Sequence, residues 1–197
     1  MITRQTLDQK RAQSALARHQ SYPQPDATHP ACPKFWGDYS ATANGLPPAI
    51  RSNGLILALA AEVARASGKL DPGQTAVLAD LCAYLSEWSK GSAPGWLPDA
   101  KVPGAWQTPS NGDKGAEKAH DKWRNDIVKA AQILLEALIE ADASRYQVIG
   151  EEALAYLAWL KTLAKPKANR EKAREKAEAA NAAAGAGGGD TPGASEP

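Results

Sequence analysis

Cysteine, long apolar runs and an excess of either charge are what this 197-residue chain has little of. Two cysteines, Cys32 and Cys82, are too few for a disulfide scaffold, and Met1-Ile2-Thr3-Arg4-Gln5 has no apolar run of the signal-peptide kind. A reducing cytoplasm is the expected compartment. Even the most apolar stretch, Leu55 to Ala66, is broken by Glu62 and Arg65, which argues against a transmembrane role. With 23 Lys+Arg against 22 Asp+Glu the net charge is +1, so no global basic field points to nucleic acid. Local charge is another matter. Residues 1 to 20 carry Arg4, Lys10, Arg11 and Arg18 against Asp8 alone, and residues 165 to 176 carry six Lys/Arg against Glu171 and Glu175.

The β-branched alternation that marks strands is missing nearly everywhere, while Ala, Leu, Glu and Lys dominate long periodic segments. The expected fold is all-α, a compact bundle of about five helices. A first helix is expected from Arg4 to His19 with Thr3 as N-cap, followed by loop to Gly45. Pro47-Pro48 then suits the first turn of a second helix that ends at Gly68. A third fits Gln74 to Lys90, with Val77, Leu78, Leu81, Leu85 and Trp88 on one stripe. A long Pro/Gly-rich loop over 91–115 holds Trp96 and Trp106 and is expected to be pinned. A fourth helix, Glu117 to Ala141, aligns Trp123, Ile127, Ala131, Leu134 and Leu138. A fifth runs from Ser144 to at least Ala164, with Ala153, Leu157, Leu160 and Ala164 on one side and Tyr156, Trp159 and Leu163 beside them. Residues 1–178 are read as the domain, and 179–197 as an Ala/Gly-rich disordered tail that cannot bury enough surface to fold.

No catalytic, metal or cofactor signature emerges. His29 and Cys32 have no second pair at ligand spacing and read as loop residues. Cys82 reads as a small core residue. Glu136 and Glu140 lie one turn apart without a His or Asp to complete a site, and His120 reads as a surface residue. Gly187-Gly188-Gly189 has no strand before it and no helix after it, which excludes a phosphate cradle. Arg4, Arg11 and Arg18 are different. At heptad spacing they form a slowly drifting line with steps of about 10 Å, which can follow a nucleic-acid backbone or simply be a solvated face.

Three stretches resemble one family: Thr6-Leu7-Asp8-Gln9-Lys10-Arg11-Ala12, Leu46-Pro47-Pro48-Ala49-Ile50-Arg51-Ser52-Asn53-Gly54-Leu55, and Glu152-Ala153-Leu154-Ala155-Tyr156-Leu157-Ala158-Trp159-Leu160-Lys161. In order and spacing they are similar to the small subunit of type III-B CRISPR effectors, the Cmr complex. Tyr84-Leu85-Ser86-Glu87-Trp88 adds a weaker fourth match. The resemblance implies an all-helical, non-catalytic subunit. Several copies of it would stack beside backbone and large subunits along guide RNA and captured target RNA, with cleavage left to other subunits. Gly150, the tryptophan-bearing loop and the tail depart from the pattern. On this reading the candidates for RNA-backbone contact are Arg4, Lys10, Arg11, Arg18, Arg51, Arg145, Lys161 and Lys165, and Tyr156 and Trp159 are core or partner anchors. The costly Asn53-Gly54 pair implies close packing within an apolar helix.

Two other readings start from the same residues. A helical adaptor would dock a protein through its broad apolar helix and bind no nucleic acid. A carboxylate-based helical enzyme would rest on Glu136 and Glu140 alone.

Overall fold

Thr6 begins the first helix. Its hydroxyl accepts from the Gln9 amide at 3.2 Å, while the Gln9 side chain accepts from the Thr6 amide at 2.8 Å, a reciprocal cap. The N-cap is therefore Thr6 and not Thr3, which lies outside the described residues. The computed structural model describes residues 5–24, 34–68, 71–92, 95–104 and 114–186. All regular structure among them is helical: α1 (Leu7–Ser21), α2 (Phe35–Asn53), α3 (Leu55–Ser67), α4 (Pro72–Ser92), α5 (Lys114–Glu140) and α6 (Ala143–Ala186). The all-α bundle thus has six helices among the described residues.

The sixth helix arises because the expected second helix breaks at Gly54, and residues 35–46, expected as loop, are helical as well. α2 starts at Phe35 and carries both prolines in its interior. Each proline removes a backbone donor and crowds the preceding turn. Against that cost, Phe35, Trp36, Tyr39, Ala43, Leu46 and Ile50 recur at three- and four-residue spacing and are all buried. Nor does the helix continue to Ser67. Gly54 adopts φ 82°, and a Cβ there would lie 2.7 Å from the Tyr146 hydroxyl. The Asn53-Gly54 pair is a corner between two helices, closed by a neighbour's side chain, rather than a pair inside one helix.

α4 runs through the centre. From Thr75 to Cys82 every residue is buried, Cys82 included, and the expected stripe continues to Trp88. Its N-terminus meets α2 closely: a Cβ on Gly73 would fall 2.1 Å from the Phe35 carbonyl oxygen, so only glycine fits. α6 lies against α1, α2 and α4, and α5 packs on α3 and α4. The expected stripe of α5, from Trp123 to Leu138, is buried.

Segment 95–104, which carries Trp96, is held down. Leu97 N donates to Ser89 Oγ at 2.8 Å, Lys90 pairs with Asp99 at 2.8 Å, and Trp123 Nε1 donates to the Gly104 carbonyl at 2.9 Å. Trp96 packs edge-on against Trp88. Trp106 lies outside the described residues, as do His29, Cys32 and Gly187–Gly189. α6 passes through Pro166 without ending and reaches Ala186, so the first residues of the stretch read as an unfolded tail are helical. Ala168 and Glu171 explain the continuation, since both are buried against the bundle.

Candidate functional site

The arginine row does not face solvent as a line. Arg4 lies outside the described residues. Arg11 grips Glu152 with both arms of its guanidinium, Nε to Oε1 at 2.8 Å and Nη2 to Oε2 at 2.6 Å. Arg18 Nε donates to Asp80 Oδ1 at 2.6 Å. The two side chains are 17% and 19% exposed. The expectation that Arg11 and Arg18 are open to phosphate is corrected on this geometry: this side of α1 packs on α6 and α4, where carboxylates 141 and 62 residues away in sequence meet it.

Asp80 is the node of a buried network. Besides Arg18 it accepts from the Tyr22 hydroxyl on Oδ1 and the Tyr39 hydroxyl on Oδ2, each at 2.7 Å. Burial pushes its pKa up, while Arg18 and the two phenols oppose the shift. Burial, and then the Asp80 charge, raise both tyrosines well above their ordinary value and keep them as donors. A second node is Glu152, which also accepts from the Tyr84 hydroxyl. Tyr84 stacks on the fully buried Tyr156, with ring centroids 3.8 Å apart and planes 6° from parallel. Tyr156 is a core anchor. Trp159 is partly buried and joins α6 to α1 by donating to Asp8 Oδ1 at 2.9 Å.

A third cluster ties α6 to the start of α2. Glu171 accepts from the amides of Trp36 at 3.2 Å and Gly37 at 2.7 Å, placing a carboxylate at a helix N-terminus. Lys167 Nζ sits 4.0 Å over the Trp36 ring and donates to the His19 carbonyl at 2.7 Å; burial lowers its pKa to about 8. His19 is enclosed by Trp36 and Tyr39, with centroids 5.0 and 4.9 Å away.

Sequence reasoning missed Asp80, Glu152 and Glu171. The signal for Asp80 was present, a charge set inside Val77-Leu78-Ala79-Asp80-Leu81-Cys82. Nothing local marks Glu152 or Glu171 among the exposed acids of α6. Glu136 and Glu140 are exposed and line an open cleft of about 590 Å³ with Trp96, Ile133 and Arg145. No group of three His, Cys, Asp or Glu is placed to hold a metal among the described residues.

The remaining cationic candidates, Lys10, Arg51, Arg145, Lys161 and Lys165, are all exposed. They lie on three helices, α1, α2 and α6. Lys10 borders a groove between α1 and α4 with Leu7, Tyr84 and Trp88. Arg51 ends α2. Arg145 pairs with Asp142 at 3.1 Å and lies 5.9 Å from the centre of the Trp96 ring. Lys161 and Lys165 share one flank of α6.

Comparison with known families decides what this architecture is. The profile of a family described as CRISPR-associated protein (Cas_Cmr5) matches residues 7–101 and 110–166. The chain belongs to this family. Cmr5-family chains are subunits of the type III-B Cmr complex. No curated protein and no solved structure matches the chain. The Cmr5-family stretches that stand far apart in sequence meet in space: Arg11 from the first, Tyr84 from the fourth, and Glu152 and Tyr156 from the last make one cluster. Gly54, from the second, closes against Tyr146. No helix among the described residues is long and apolar enough to cross a membrane.

Proposed function

We propose that this chain is a non-catalytic structural subunit that lies beside guide RNA and captured target RNA in a type III-B effector and touches the RNA backbone without reading bases. The observation that carries the reading is the family match, which spans the whole bundle from α1 into α6. The structure supports it in one further way. The buried carboxylates Asp80, Glu152 and Glu171 are taken up in joining helices, while Lys10, Arg51, Arg145, Lys161 and Lys165 remain on the surface. Exposed cations on a rigid bundle bind phosphates by charge and leave sequence to guide pairing. Other copies of the chain and the backbone and large subunits are the expected protein neighbours. A cytoplasmic location follows from the same reading.

The adaptor reading starts from the broad apolar helix, but its Ala153, Tyr156, Leu157, Leu160 and Ala164 are packed into the bundle, which leaves it Leu57 and Ile139, 58% and 67% exposed. In a multi-subunit assembly such residues serve contacts with neighbours equally well. Reconstitution separates the two. Effector assembled with the wild-type chain should protect more RNA from nuclease than effector lacking it, and Lys161→Glu with Lys165→Glu should weaken that protection at every sequence. Unchanged protection, together with no salt-dependent RNA affinity of the chain itself, would leave the adaptor.

A further inference from the structure

The match to the family ends at residue 166, yet α6 runs on to Ala186. What the added turns carry is not random. At about 100° per residue, Lys161, Lys165, Lys172 and Lys176 fall within about 60° of one another on the helix, a row about 22 Å long. All four side chains are exposed, and none of them pairs with an acid among the described residues. The acids of this stretch are rotated toward the bundle side. Glu171 is buried on the α2 N-terminus, Glu175 is partly buried, and Glu178 pairs with Arg174 at 3.3 Å. Among them Glu175 is the carboxylate rotated least from the row, three residues beyond Lys172, and the two form no ion pair. One flank of α6 therefore presents ammonium groups alone, and beyond Lys172 the described side chains are exposed except for Arg174 and Glu175.

We infer that the extension of α6 is a second stretch of nucleic-acid contact, in which Lys172 and Lys176 carry the line of Lys161 and Lys165 outward so that one RNA backbone is followed beyond the bundle. The inference rests on the proposed RNA-facing role and adds a partner for residues outside the family match. Lysine suits it because an ammonium on a long stem meets phosphates as a point charge without demanding a fixed angle. A row of one sign on a rigid helix favours a polyanion of regular charge spacing over a single carboxylate.

The test is the salt dependence of binding of the full chain to a labelled single-stranded RNA, measured by fluorescence anisotropy for wild type, K172E/K176E, K172R/K176R and K161E/K165E. K172E/K176E should weaken binding of all sequences alike and flatten the slope of log K against log salt by about 1.4, which is about 0.7 for each phosphate left without its lysine. K172R/K176R should keep the wild-type slope. Thermal unfolding should be unchanged in both, since the side chains are exposed. If K161E/K165E loses affinity while K172E/K176E matches wild type, the extension is not an RNA contact, although the RNA-facing role stands. If wild type itself binds without salt dependence, both fall. If K172E/K176E keeps its RNA slope but fails to join the effector, the flank docks an acidic protein surface and the inference is overturned.

Discussion

Asp80 shows what a single residue does here. One buried carboxylate holds Arg18 of α1, Tyr22 beyond it and Tyr39 of α2 to the central helix. Removing it strands a guanidinium that is 19% exposed and two buried phenols. Asp80→Ala is expected to cost about 3 to 5 kcal/mol in urea unfolding. Arg18→Met with Asp80→Leu should recover only the part due to the stranded guanidinium, since the buried Tyr22 and Tyr39 hydroxyls still lose their acceptor. A single substitution costing under about 1 kcal/mol would contradict the network. Charge reversal at Arg11 or Arg18 consequently reports on folding, and the proposed RNA contact is tested at the exposed candidates Lys10, Arg51, Arg145, Lys161 and Lys165. Two titrating residues act in opposite senses. Burial, and then Lys167, lower His19 to about 3 from 6.5, so the unfolded chain takes up a proton that the folded chain refuses. That contribution is complete above pH 6.5 and is lost as pH falls toward 3. Burial, and then Asp71, Glu171 and Glu175, raise Asp38 to about 6 from 3.8, so its contribution is lost as pH rises between those values. His19→Phe should flatten the acid-side loss in denaturation midpoints, and Asp38→Asn should remove the opposing trend. Parallel pH profiles for wild type and His19→Phe would exclude His19 as the acid-sensitive group.

Among the elements, the α2–α3 corner depends on one glycine. Gly54→Ala places a Cβ at φ 82° against Tyr146, with an expected loss of about 1 to 3 kcal/mol. Adding Tyr146→Phe should restore only the part due to the clash with the hydroxyl; full recovery in chemical denaturation would mean that the backbone is not strained. At the α1–α6 seam, Trp159→Ala should cost less than the about 3 to 5 kcal/mol typical of a buried tryptophan, because the ring is only partly covered. A larger loss by the same measurement would place the ring in the core. α4 and α5 were legible because each pairs a clean 3–4 periodicity with Pro, Gly or Asp at its borders. α2 was not. Gly45 and Pro47-Pro48 look like punctuation, and the aromatic trio Phe35, Trp36 and Tyr39, whose spacing is helical, outweighs them only once α4 and α6 supply a surface to bury it. The inward turn of Arg11 and Arg18 was equally hidden. Periodicity places them on a common side of α1, but their partners lie in helices that no local pattern connects to it. Leu16, left 47% exposed while Ala15 and His19 are buried, shows that hydropathy alone misplaces the face of this helix.

The whole molecule is organised around its last helix. Truncation after Glu178 should leave the melting temperature unchanged, because the side chains of 179–183 are exposed. Truncation after Arg170 removes the Glu171 carboxylate from the amides of Trp36 and Gly37 and should cost about 1 to 2 kcal/mol, read by calorimetry. Equal stability of the two truncated chains would show that the Glu171 contacts contribute nothing. The same contacts govern the order in which the molecule can be made. Arg11 waits for Glu152, 141 residues later; Asp8 waits for Trp159, 151 residues later; and the α2 N-terminus waits for Glu171. A chain leaving the ribosome N-terminus first exposes Trp36, Tyr39 and the inner face of α1 until the final third has been synthesised. Synthesis that stalls in the first turns of α6, before Glu152, Tyr156 and Leu160 are made, is therefore expected to leave an aggregation-prone fragment rather than a shorter bundle, and the core closes only once most of α6 has emerged.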